Sequence, residues 1–173
     1  MANPGWDWAP VPAPDGTAFQ TPQFKKATTI VGPATLDLWT KADTPVEDFQ
    51  ASITEVRPAA KQKQYMTSGF LRSSNQVDQP DSTALFTDPT YLGYQSENLS
   101  PNTYTLVKIP IDPIAHTFRP GTELRVVISA PGGDRPIWAF DTLDNGQSAS
   151  VGWRRRRGEP CRAYQPENNQ TGG

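Results

Sequence analysis

The chain's only histidine, His116, is the one imidazole base open to a Ser-His-Asp or Cys-His arrangement in these 173 residues. Such an arrangement needs its base within hydrogen-bond reach of the nucleophile. His116 stands just before Phe118 and the Arg119-Pro120-Gly121 turn signal. A partly exposed histidine at a strand end is the reading its neighbours favour, and an approach to a partner domain is the alternative. The nearest thing to a Gly-x-Ser-x-Gly nucleophile elbow is Gly146-Gln147-Ser148-Ala149-Ser150. It lacks the second glycine and falls where a turn between sheet strands is expected. Asp134, Asp141 and Asp144 offer oxygen ligands to calcium. Their segment does not keep the spacing of a calcium-binding loop, and Asp and Asn favour turns by bonding their own backbone. Cys161 is single, which excludes an internal disulfide and a zinc cluster built on cysteines of this chain. No catalytic, cofactor-binding or metal-ligating residue is therefore assigned, and no cofactor is expected.

Charge sets the next bound. The net charge of −2 argues against general binding to nucleic acid or anionic membrane, which needs a basic field. The distribution is uneven: residues 1–152 hold 11 Lys and Arg against 16 Asp and Glu, whereas residues 153–173 hold five Arg and two Glu. The Arg154–Arg157 run is of a kind that binds phosphate or polynucleotide in some tails, but no aromatic residues interleave it. The sequons at Asn98 and Asn169 matter only in a secreted protein. The opening MANPGWDWAPVPAPDG has neither the basic start nor the apolar run of a secretory signal, so the cytoplasm is the expected compartment. No stretch approaches the roughly 20 apolar residues of a membrane span.

The elements that would position any site read as short strands. Eighteen prolines and thirteen glycines leave little room for long helices. Residues 1–16, rich in Pro, Ala and Asp, read as an extended linker whose Trp6 and Trp8 either dock on something outside the domain or pack on its surface. From Thr28, Leu36 and Leu38 alternate with Asp37 and Trp39, the period of a half-buried strand. A turn at Asp43-Thr44-Pro45 leads into DFQASITEVRP, which is expected to close a hairpin with it. YMTSGFLRSS is a third strand, and the polar segment from Asn75 to Pro101 reads as a long surface excursion. Such a loop is rare in a compact domain unless it is functional or packs against a neighbour. TYTLVKIPI and DPIAHTF lead to the Pro120-Gly121 turn and then to LRVVI, two strands expected side by side. PIWAF and a closing strand follow. After Val151 the chain has no Val, Ile, Leu, Met or Phe, so residues 152–173 read as a basic, disordered tail. The expected fold is all-β, a jelly-roll sandwich over residues 17–151.

Four blocks in order carry a family resemblance: Gly32 to Trp39, Asp48-Phe49, Gly69 to Ser73, and Phe118 to Arg125. Together they resemble the C-terminal domain of the X-Pro dipeptidyl-peptidase and cocaine-esterase-like family of α/β serine hydrolases. The resemblance implies a jelly roll similar to galactose-binding domains. It also implies a separate α/β-hydrolase domain that carries the Ser, Asp and His triad and on which the jelly roll packs, helping to shape the pocket. None of that triad maps onto a residue of this chain, which is expected to be inactive alone. Relatives of this kind close the sheet with an apolar strand, which the arginine run replaces. The change at Gly152 reads as a shifted frame or a gene fragment, and the unpaired edge it leaves invites self-association and poor solubility. The competing function is a carbohydrate-binding jelly roll, with Trp39 and Trp138 as candidate platforms, although both lie in apolar strand patterns that suit core packing.

Overall fold

The computed structural model describes residues 16–131 and 149–151. The expectations that fall on Trp6, Trp8, Asp134, Trp138, Asp141, Asp144, Ser148, Arg154–Arg157, Cys161 and Asn169, and on the PIWAF strand, lie outside the described residues. Seven strands are described: β1 (Gly16–Gln20), β2 (Thr28–Ala42), β3 (Asp48–Arg57), β4 (Gln62–Arg72), β5 (Thr105–Phe118), β6 (Glu123–Ser129) and β7 (Ala149–Val151). They form two antiparallel sheets, one in the order β1-β6-β3-β4 and the other β5-β2-β7. The fold is an all-β sandwich, and no described helix is long and apolar enough to cross a membrane.

Alternation builds the core. In β2 the even positions point inward and leave Leu38, Thr40 and Ala42 buried, while Val31, Asp37 and Trp39 face out. β3 supplies Phe49, Ala51 and Ile53, β4 Leu71, β5 Val107, Ile109 and Ile111, and β6 Ile128. At about 25 cal/mol per Å² of apolar surface, interdigitation of these side chains between the sheets is the main stabilising contribution.

Two sequence expectations about pairing are corrected. β2 and β3 do not form a hairpin, because the turn at Asp43–Pro45 carries the chain from one sheet to the other; the hairpin is β3–β4, closed by a 3-10 turn at Pro58–Ala60. Likewise β5 and β6 are consecutive but not side by side, since the turn after Phe118 also crosses between sheets. Both strands adjoin the same core, so their apolar patterns are those of neighbours even though no backbone bonds join them. β1 was not expected: GTAFQ is too short to show a period, and its pairing with β6 through Gly16↔Ser129 to Gln20↔Arg125 makes it a strand.

The four blocks of the resemblance act as structure. Gly32, at φ +124°, opens a bulge in which Pro33 stands against Asp112 and Pro113. Asp48 and Arg72, opposite one another on β3 and β4, form a two-pronged ion pair at 2.8 and 2.9 Å. Ser73 then accepts the Glu47 N–H on its hydroxyl at 2.9 Å and donates its own N–H to Glu47 at 2.8 Å, tying the end of β4 to the start of β3. Phe118 is fully buried, and Gly121, at φ +82°, makes the turn that returns the chain to β6.

Candidate interaction surface

The bulge decides where His116 goes. In β5 the odd positions 107, 109 and 111 point inward, and the two residues set against Pro33 shift the phase so that Ile114, His116 and Phe118 point inward instead. His116 therefore meets Glu55, which is in phase with Phe49, Ala51 and Ile53 on β3 and is fully buried. The imidazole Nε2 lies 3.4 Å from Glu55 Oε2, and the ring stands edge-on to Phe118 at 4.8 Å. Arg57 donates to the same carboxylate oxygen from Nε at 2.7 Å, with Nη2 at 2.5 Å. Burial alone would raise the Glu55 carboxyl. No single partner matches that effect, but the Arg57 hydrogen bond, the nearby Thr122 hydroxyl and the charges of Arg57 and His116 together outweigh it and hold the group below the ordinary carboxylate range.

This cluster joins a carboxylate to an imidazole but gives them no nucleophile. The adjacent hydroxyl, Thr122, donates to the Arg119 carbonyl at 2.8 Å and so closes the β5–β6 turn. The cluster fastens one end of the sandwich. His116 is partly exposed near a strand end, as the sequence suggested, with its side chain 21% accessible. Among the described residues no group of three metal-ligating side chains gathers.

The two outer faces of the sandwich differ in chemistry. On the four-stranded sheet polar side chains turned away from the core are buried or half-buried: Gln50 bonds Ser52 at 3.0 Å, Tyr65 bonds Ser68 at 2.6 Å, and the Thr54 hydroxyl donates to the Arg125 carbonyl at 3.4 Å. The other sheet is overlaid by the excursion between β4 and β5. Asp78 anchors that segment by accepting from the Thr87 hydroxyl and from Lys108 Nζ, the latter at 3.4 Å. The Thr87 N–H donates to Thr35 on the outward side of β2 at 3.0 Å, and Leu99 is buried in the core. The excursion is thus held by polar contacts at its base and by Leu99 in the core, and it turns Leu85, Phe86, Tyr91, Leu92 and Tyr94 outward.

All eight large hydrophobic residues exposed among the described ones belong to this side of the molecule. Val31 and Trp39 are on the outward positions of β2; Leu85, Phe86, Tyr91, Leu92 and Tyr94 are on the excursion; Tyr104 leads into β5. Tyr94 is 83% and Leu85 79% accessible. Trp39 corrects the core packing expected for it, since at 38% accessibility it stands on the surface, one position out of phase with Leu38. Tyr91 sits beside Asp88 and Asp112, and burial first, then those carboxylates, push its phenol up. Exposed apolar side chains gathered on one side of a fold mark a contact with another body, and tyrosine suits such a surface because its ring is apolar and its hydroxyl wet. Sequence reasoning passed over this set because the tyrosines are scattered through a polar, aperiodic segment. Only the count of aromatics within it signalled anything.

Comparison with known proteins follows the same line. No curated protein matches the chain. Among solved structures, a CocE/NonD family hydrolase from Staphylococcus aureus is similar with a TM-score of 0.60 and 23% identity, over 70% of this chain and 24% of that one. An aminopeptidase from a marine sediment Thaumarchaeota archaeon is similar at a TM-score of 0.53 and 18% identity, over 67% of this chain and 18% of that one. An α-amino acid ester hydrolase is similar at 0.53 and 16% identity, over 69% and 19%. This chain spans about a quarter of the first of these or less of the others, and the likeness is one of fold. The X-Pro dipeptidyl-peptidase C-terminal non-catalytic domain family matches residues 7–145. With four motif blocks accounted for as structure, no assembled catalytic set among the described residues and that match over most of its length, the chain belongs to this family of non-catalytic accessory domains.

Proposed function

We propose that residues 17–151 serve an α/β serine hydrolase of the dipeptidyl-peptidase or esterase type by packing their apolar outer face on its catalytic domain, which helps to shape the substrate pocket. Residues 1–16 are then the joint to that domain, and residues 152–173 a basic tail. The observation that carries this reading is the one-sided placement of Val31, Trp39, Leu85, Phe86, Tyr91, Leu92, Tyr94 and Tyr104. A free-standing module has no use for that much apolar surface, whereas an accessory domain needs one such face and one only. The hydrolases similar in fold support the identity of the partner. The carbohydrate-binding alternative finds no support among those relatives.

The test is ester and X-Pro-amide hydrolysis by a hydrolase domain from the same gene neighbourhood, with and without the purified chain. Activity is expected to rise on complementation, and to fall back when Tyr91→Ser and Tyr94→Ser are combined while the variant's melting temperature stays within a degree or two. Hydrolysis by this chain alone, or complementation indifferent to both tyrosines, would overturn the proposal.

A further inference from the structure

Charge divides between the two sides of the sandwich as the exposed apolar residues do. The four-stranded sheet and its β3–β4 turn hold Asp48, Glu55 and Glu123 against Arg57, Lys61, Lys63, Arg72 and Arg125. Each of those three carboxylates has a partner: Arg72 for Asp48, Arg57 for Glu55, and the Gln20 amide for Glu123. On the other side, β2, β5, β7 and the excursion hold six carboxylates, Asp37, Asp78, Asp81, Asp88, Glu97 and Asp112, against Lys41 and Lys108 alone. Residues 73–104 carry four of the six and no Lys, Arg or His. Lys108 is already taken by Asp78, at 3.4 Å.

The surplus lies beside the apolar residues. Asp37 faces outward on β2, two residues from Trp39 and two from Thr35, whose hydroxyl accepts the Thr87 N–H of the excursion at 3.0 Å. Asp88 follows Thr87, and Asp112 is exposed in the β5 bulge. Both carboxylates lie near enough to Tyr91 to add to the effect of burial, which comes first, in pushing its phenol up. Gathering like charges on one side costs the isolated domain self-repulsion. A second copy meeting this face would set carboxylate against carboxylate, and a polyanion would be repelled for the same reason.

A cationic surface reverses the sign of every one of these terms. We propose, resting on the reading that this face packs on a catalytic domain, that the receiving surface of that domain is an apolar patch bordered by Lys and Arg, and that attraction between the two fields steers them together. The apolar side chains then supply the lasting contact, and the carboxylates around them set the rate of encounter and the choice of partner.

The experiment follows binding of the full chain to a hydrolase domain from the same gene neighbourhood by stopped-flow tryptophan fluorescence, at about 20 and about 200 mM salt, a range over which exposed charges become largely screened. Association is expected to slow on the order of tenfold with salt, while dissociation changes less than about twofold. Asp37→Asn, Asp88→Asn and Asp112→Asn combined should slow association at low salt by a similar factor and melt within about 2 °C of the unaltered chain, whereas Glu123→Gln, on the other sheet, should leave the rate as it was. If the triple variant fails to fold, the salt dependence of the unaltered chain decides alone. The salt effect must also persist when Arg154→Gln, Arg155→Gln, Arg156→Gln and Arg157→Gln are combined. Association that is indifferent to salt, that quickens with it, that Glu123→Gln slows as much as the triple variant does, or whose salt effect disappears with the four arginines overturns the proposal, and the packing reading still stands if Tyr91→Ser with Tyr94→Ser weakens binding. Binding that the tyrosine variants leave untouched refutes the packing reading itself, and this proposal with it.

Discussion

Replacing Gly69 with alanine tests how closely the two sheets approach. Gly69 is an inward position of β4, opposite Ala51 in its own sheet and facing β5 in the other. A Cβ added there would lie 2.8 Å from Ile111 Cα and 2.7 Å from the Pro110 carbonyl carbon, with the Pro110 oxygen nearer still. All three are backbone atoms, so no side chain can swing aside. Restoring ordinary contact distance requires β4 and β5 to separate by well over half an ångström, and a gap of about 0.5–1 Å forfeits a quarter to a half of each dispersion contact across it. Leu71, Val107 and Ile109 line that gap, so the cost falls at the upper end of the overpacking range, about 3 kcal/mol. At roughly 3–4 °C per kcal/mol for a domain of this size, the melting temperature should drop by roughly 10 °C. Gly93→Ala is the control, because nothing lies within 4 Å of the added methyl there, and it should stay within about 0.5 kcal/mol of the unaltered chain. Urea melts of both variants measure the difference. A Gly69→Ala protein within about 1 kcal/mol of the parent would show that the sheets are not in backbone contact at Gly69, and this reasoning would fail with it.

Acid should weaken the sandwich through Glu55. Its carboxyl is held below the ordinary carboxylate range, so the stability it contributes is present above the unfolded value and is lost as pH falls through the lower folded one. Glu55→Gln should flatten the pH dependence of urea stability below about pH 5, and an unchanged acid limb would refute the assignment. Asp48→Asn should cost about 1–2 kcal/mol, since it breaks a two-pronged ion pair only partly shielded from water. Adding Arg72→Gln should cost little more if the pair acts as a unit, which a double-mutant cycle measures. Phe118→Ala, which empties a fully buried ring site beside Phe24 at 5.1 Å, should cost about 3–5 kcal/mol in the same assay.

The sequence by itself determined the class of fold and the membership of its core. Period-two alternation is a local property, so Leu38, Phe49, Ala51 and Ile53 could be assigned to one face of their strands without knowing what they would touch. The spacing of Pro and Gly likewise marked the turns, and the four motif blocks identified the family. Partnership between strands was decided only in the tertiary structure, because both sheets face one core and an apolar pattern does not say across which edge a strand bonds. That is why β2–β3 and β5–β6 were misread as neighbours. The bulge at Gly32–Pro33 exchanged the phase of β5 and turned His116 inward to Glu55, an effect of two residues set against one that no single strand's sequence records. The interaction surface needed the fold most of all. Phe86, Tyr91 and Tyr94 lie in an aperiodic stretch of chain, and they come to the same side of the molecule as Trp39 only when the excursion is laid along the outside of β2.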